Sequence, residues 1–176
     1  EKLRKVFQRL CQAGLKLKPS KCTYLKKERN ILGYKVSGQG ISVDEDKIKG
    51  ISKFQTPRNV KEVQQFLGMC NYYRKFIKKF SVITRPLHET TKRDSVFLWN
   101  EERNIAFETL KERMITAPVL KRFNPNRDCE LRVDASFQGL GAVLLQEDDE
   151  GQLHPVAYIS RTVTKNERNL GITELE

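Results

Sequence analysis

Apolar positions along the chain fall into a few periodic runs. Leu3, Val6, Phe7, Leu10 and Cys11 form a helical stripe, and Gly14 stands where a C-terminal cap belongs. Residues 22–25 and 31–36 then read as strands, and Ile41 to Val43 as another, with Ser37-Gly38-Gln39-Gly40 predicting a β-hairpin turn between the last two. Asp44 caps a short helix carrying Ile48 and Ile51, which Thr56-Pro57 ends. Asn59 with Glu62 makes a capping-box-like start for a longer helix. That helix places Val63, Phe66, Leu67, Cys70 and Tyr73 on one face and has the aromatic-basic string 72–80 at its far end. Arg85-Pro86-Leu87 opens or bends a further helix ending near Lys92, and Asn100 caps one with Phe107, Leu110 and Met114 inside. After Asn124-Pro125-Asn126 the period changes to that of strands at 130–135, 141–146 and 156–160, and a helix is predicted to begin near residues 166–168. Three strands and a helix suggest the opening of an α/β domain.

Composition narrows the class. The chain has 176 residues, 38% hydrophobic and 31% charged, which is globular. No stretch approaches a membrane-spanning length, no signal peptide is present, and a soluble intracellular protein is expected. Glu1 in place of Met, and the abrupt stop at residues 171–176, lead us to expect a piece of a longer protein. The four cysteines, Cys11, Cys22, Cys70 and Cys129, show no metal spacing and are expected to be reduced and mostly buried. Charge is uneven: residues 1–100 carry a net +15 and residues 101–176 a net −4, giving the overall +11. A basic first half suits a polyanionic partner, although a solubilising surface has the same composition. The acidic second half suits divalent cations or plain solvation.

Chemistry concentrates in two places. In residues 66–80, Arg74, Lys75, Lys78 and Lys79 can contact phosphates while Tyr72 or Tyr73 stacks on sugar or base. The same spacing also fits an amphipathic helix with its aromatics in the core and its bases in water. Asp134, beside Ala135-Ser136 near a strand end, is either a metal-binding carboxylate or an ordinary turn residue.

The full string Phe66-Leu67-Gly68-Met69-Cys70-Asn71-Tyr72-Tyr73-Arg74-Lys75-Phe76-Ile77 resembles the thumb of reverse transcriptases from gypsy-type long-terminal-repeat retrotransposons and their retroviral relatives. Other landmarks follow in the family's order: Ile31-Leu32-Gly33-Tyr34, Arg85-Pro86-Leu87, Phe97-Leu98-Trp99, Ala117-Pro118-Val119-Leu120, Val133-Asp134-Ala135-Ser136, residues 139–146, and His154-Pro155-Val156-Ala157-Tyr158. The resemblance covers essentially the whole chain. It implies an α+β / α/β fold: the end of a polymerase palm with a primer-grip-like hairpin over 1–55, a helical thumb and connection over 56–122, and the first strands (β-β-β-α) of a ribonuclease H-like domain over 123–176. Leu32, Gly33 and Tyr34 would act in the primer grip. Tyr72, Tyr73, Arg74, Lys75, Lys78 and Lys79 would follow the duplex.

The family's polymerase chemistry uses a Tyr-x-Asp-Asp turn, which in the resemblance falls upstream of Glu1. The one Asp-Asp here, Asp148-Asp149, lacks the Tyr and reads as a solvated hairpin tip. The ribonuclease H site implied is a two-magnesium site, since hard cations need several carboxylates. Asp134 matches its first ligand and Glu176 its second, with Glu174 the weaker candidate. Leu170 stands where the family has Tyr, and Gly171 where it has Ser or Thr. The expected partners are RNA–DNA hybrid, template–primer duplex and the rest of a Pol polyprotein, in a cytoplasmic particle or the nucleus. Isolated polymerase or nuclease activity is not expected. The alternative is a non-catalytic nucleic-acid-binding remnant of such an element, and a third reading is a segment that leaves its palm faces uncovered and does not fold alone.

Overall fold

The computed structural model describes residues 1–93, 96–164, 166–171 and 174. Helix α1 (Lys2–Gln12) leads to a three-stranded antiparallel meander, β1 (Glu28–Ile31), β2 (Tyr34–Ser37) and β3 (Ile41–Val43). Four helices follow: α2 (Glu45–Ser52), α3 (Val60–Tyr72), α4 (Phe80–Thr90) and α5 (Glu101–Ile115). A second antiparallel sheet closes the order, β4 (Cys129–Ser136), β5 (Gly139–Glu147) and β6 (Leu153–Thr162), in sequence order.

Local chemistry sets the helix starts. The Asp44 carboxylate accepts from the Asp46 N–H at α2, the Asn59 side chain from Glu62 N–H at α3, and Asn100 from Arg103 N–H at α5. At α3 the Glu62 carboxylate also accepts from the Asn59 side chain and the Arg58 N–H, which fixes the approach of the chain. One core joins the helices: Phe66, Phe76, Phe107, Leu87, Leu110 and Met114 are almost wholly buried. The Phe66 and Phe107 rings lie 4.5 Å apart, tilted by 51°. Tyr34, Ile41 and Tyr158 pack against this core from the two sheets.

Several expectations are corrected. The run at 31–36 is not one strand: Leu32 (φ 50°) and Gly33 (φ 79°) form a turn between β1 and β2. Residues 22–25 form no strand, because Leu25 adopts φ 54°. The long helix stops at Tyr72; residues 74–76 make a 3₁₀ turn, and Lys79 at φ 58° starts α4 in a new direction. That helix therefore begins six residues before Pro86 and runs through it to Thr90. Only Cys70 of the four cysteines is buried; Cys11 and Cys129 are exposed. The stripe on α1 forms a helix but buries nothing, leaving Leu3 and Val6 near half exposed. Where a helix is expected to begin, residues 167–169 form a 3₁₀ turn; Glu174 is helical, and the residues around it lie outside the described ones.

The β4–β6 sheet has two unlike faces. Pairing registers put Leu131, Val133, Ala142, Leu144, Ala157 and Ile159 on one face, and Asp134, Val143, Tyr158 and Ser160 on the other. The second face packs on α4 and the preceding turn, where a Cβ on Gly139 would meet the Val82 side chain at 2.8 Å. On the first face Leu131, Val133 and Ile159 are each about 60% exposed, at 60%, 61% and 63%. Two backbone links tie this part to the hairpin: Ile41 and Leu120 exchange hydrogen bonds at 2.7 and 2.8 Å, and the Lys121 N–H donates to Pro155 O. No helix among the described residues is long and apolar enough to cross a membrane.

Candidate nucleic-acid interface and carboxylate site

Six of the residues expected to contact nucleic acid meet where the β1–β2 turn leans on the end of α3. Tyr72 Oη donates to Leu32 O at 2.7 Å, Tyr73 Oη to Gly33 O at 3.1 Å, and Tyr34 Oη to Tyr72 O at 3.1 Å. The three tyrosines and Phe76 form one aromatic group, with Tyr34 stacked on Tyr72 at 5.1 Å. Lys75 Nζ lies 4.3 Å above the Tyr34 ring, a cation–π contact. Only Gly fits at position 33, since a Cβ there would stand 2.7 Å from Tyr73 Oη and the backbone is left-handed.

This clasp changes individual roles. Tyr73 is buried (4% exposed) and braces the turn, so base stacking is closed to it. Tyr72 keeps half its surface in solvent. Burial and the neighbouring phenols push the Tyr34 phenol up to about 12, and burial lowers the Lys75 ammonium from its ordinary value. Leu32, 82% exposed, is the protruding tip. Beside it an open cavity of about 400 Å³ is lined by Leu32, Gly33, Lys47, Met69 and Tyr72. Arg74 and Lys78 stay exposed at the outer edge.

Lys79 behaves differently. Its Nζ pairs with Asp134 Oδ2 at 2.9 Å, so a base expected on a duplex sits on the carboxylate expected to hold a metal. The hydrogen bond and charge of Lys79 hold the Asp134 carboxyl below its usual range, with Lys78 adding a smaller effect. Asp134 points into the crevice on the face turned toward α4, between Lys78, Lys79, Arg132 and Tyr158. Among the described residues no three His, Cys, Asp or Glu side chains gather where a metal ion could be held. Among the described residues the donor set there is a single carboxylate matched by an ammonium. Glu176 lies outside the described residues. Glu174 Oε2 accepts from the Gly171 N–H at 2.9 Å, a local cap.

At the acidic turn Asp149 is solvated, 91% exposed, while Asp148 is held by neighbouring groups. Asp148 accepts from the Glu150 and Gln152 N–H groups at 3.0 Å each and meets His154 Nε2 at 2.7 Å, while Asp149 pairs with Arg127. Backbone hydrogen bonds are the leading cause of the lowered Asp148 carboxyl. Each carboxylate has a structural partner, and nothing there is arranged for two metals.

Comparison with known proteins agrees with this architecture. Residues 99–176 match the family model of the RNase H-like domain found in reverse transcriptase. The chain is 34% identical over 171 residues to the transposon Tf2-3 and Tf2-4 polyproteins of Schizosaccharomyces pombe, alignments that cover 97% of this chain and 13% of each polyprotein. It is also similar in structure to the foamy viral protease-reverse transcriptase solved in complex with dsDNA (TM-score 0.81, 26% identity, 98% of this chain and 36% of that one). The same viral protein in complex with RNA/DNA hybrid gives a TM-score of 0.80 at 26% identity, over 98% of this chain and 23% of that one. The second part of the chain is thus similar to the RNase H-like domain found in reverse transcriptase. Along its length it is homologous to the reverse transcriptase/RNase H region of retrotransposon polyproteins.

Proposed function

We propose that this segment positions template–primer and RNA–DNA duplexes within a gypsy-type retroelement Pol polyprotein, palm end over 1–55, thumb over 56–122 and ribonuclease H-like part from 123. The observation that carries the reading is the tyrosine clasp. Three hydroxyls fix the Leu32–Gly33 tip to the end of α3, and the exposed bases Arg74 and Lys78 follow directly along the chain. A hydrogen-bonded tip beside exposed cations suits a duplex held by its phosphates, with little base readout. The foamy viral neighbours, solved with double-stranded DNA and with RNA/DNA hybrid, support the same partner class.

Catalysis is a property we assign to the parent. There Asp134, with Glu176, would take magnesium, which would supply an activated water for cutting RNA in hybrids. The Lys79–Asp134 pair favours a second reading for this segment, duplex binding without turnover.

The test is hybrid binding by fluorescence anisotropy across salt concentration. Affinity should fall steeply with salt, and Lys78→Gln should lower the log–log slope by about 1. An affinity insensitive to salt would sink the phosphate-contact reading. Primer extension by the 176-residue chain with Mg²⁺ should yield no product; incorporation of even a few nucleotides would overturn the assignment of catalysis to the parent.

A further inference from the structure

A second basic surface lies apart from the clasp, in a groove of about 440 Å³ between α4 and β6. Ser81, Arg85, His88 and Lys92 reach it from one side, with spacings of four, three and four residues along and just past the helix. Arg74 enters from the turn before α4 and Arg161 from β6, while Glu89 is the lone acid among the described lining residues.

Two observations mark the groove as suited to an anion. Arg85 is half buried, and no carboxylate pairs with it or with Arg74 among the described residues. A partly desolvated guanidinium without a counter-charge is unfavourable, and an incoming anion relieves it. Independently, Ser81 Oγ is buried and has no hydrogen-bond partner, although the Ser81 N–H donates to Ser160 Oγ at 2.9 Å. Such orphaned hydroxyls are uncommon, and Ser81 is one of the residues that line the groove. Arg161, by contrast, is already matched by Glu167 through two bonds of 2.8 and 2.7 Å, so the surplus charge belongs to Arg74 and Arg85.

The groove also has a direction. At one end Asn71 and Arg74 flank the clasp tyrosines in sequence; at the other, Ser160 and Arg161 also line a separate pocket bordered by Val133, Asp134 and Ala135. We propose that this groove takes the phosphodiester backbone of one strand as a duplex passes from the clasp toward Asp134, with Arg74 and Arg85 as phosphate contacts. The proposal rests on the duplex-handling reading above and adds Ser81 and Arg85 as contacts, Arg85 having entered the sequence reading only as part of the Arg85-Pro86-Leu87 helix landmark. The competing occupant, an acidic peptide pairing along the edge of β6, is decided by the same experiment.

The full chain is titrated with labelled RNA–DNA hybrid between about 50 and about 200 mM salt. Arg85→Gln should weaken binding roughly fivefold at low salt and lower the salt slope by about 1, and Arg85→Lys should recover the slope because it keeps the charge. Ser81→Ala should raise the melting temperature, by removing the orphaned hydroxyl, while weakening hybrid binding. Arg74→Gln, at an exposed position, serves if Arg85→Gln fails to fold. If Arg85→Gln and Ser81→Ala bind as the parent chain does while Lys78→Gln binds less well, the groove proposal falls and the duplex reading stands. If Lys78→Gln is also without effect, both fall. Displacement of the hybrid by a glutamate-rich peptide, with Arg85→Gln abolishing peptide binding alone, would overturn the phosphate assignment.

Discussion

The helical half and the β4–β6 sheet solve burial in opposite ways. In the helices, Phe66 and Phe107 have no exposed surface, and Phe54, Trp99 and Phe97 close around them. The sheet buries one face against α4 and leaves Leu131, Val133 and Ile159 turned outward. Burial is therefore concentrated in the helices, and the sheet packs one of its faces on them. The two candidate sites follow this division. The clasp is built at the end of α3, and Asp134 sits on the docked face of the sheet.

The sharpest way to break that comparison is a pair of truncations. Phe107→Ala should cost roughly 3–5 kcal/mol in a denaturant titration, whereas Ile159→Ala on the open face should fall within about 0.5 kcal/mol of the parent. Equal losses would show that the sheet face is covered in solution. Next in size is Gly33→Ala, which meets both a left-handed backbone and Tyr73 Oη; it should cost more than about 1 kcal/mol and weaken hybrid binding along with stability. Retained affinity in that variant would separate the clasp from duplex handling. Tyr73→Phe should cost about 1 kcal/mol, one part-buried hydrogen bond, as read by the shift in the melting curve.

The smallest effect is in acid. Arg161 and the Thr164 backbone and hydroxyl hold the Glu167 carboxyl at about 2, against an ordinary value of 4.5. A depressed carboxyl stabilises the folded state above its unfolded value. The contribution is thus full above about 4.5 and disappears as pH falls toward about 2. Carboxyl NMR should place the Glu167 midpoint near the lower figure, and Glu167→Gln should flatten that part of the acid limb. A midpoint near 4.5 would remove the pair from the account of this edge.

Much of this was legible in the chain itself, for identifiable reasons. The helices at 60–72 and 101–115 and the strands around Val133, Val143 and Tyr158 carry strong periodicity and caps, so local preference and tertiary packing agree. Strand β1 escaped notice because Glu28-Arg29-Asn30 has no apolar alternation; its pairing to β2 alone defines it. Residues 72–80 keep helical spacing, yet Lys79 turns left-handed so that Phe80 can start α4 beneath β6. At the site, Asp134 was recognisable from its motif, but its Lys79 partner comes from a distant segment and leaves no local trace. The Arg85 groove is likewise a product of packing between elements far apart in sequence.

The exchange of hydrogen bonds between Ile41 and Leu120 has a consequence for the order of events in folding. It closes a loop containing every residue from α2 through α5, and the approach is so tight that a Cβ on Gly40 would stand 2.2 Å from Leu120 O. Such a contact carries the full entropy of closing a long loop and forms only after the helices inside it have condensed. The hairpin edge is consequently among the last parts to acquire native protection. In a pulsed hydrogen-exchange experiment the amides of Ile41 and Leu120 should become protected together, after those of α3 and α5.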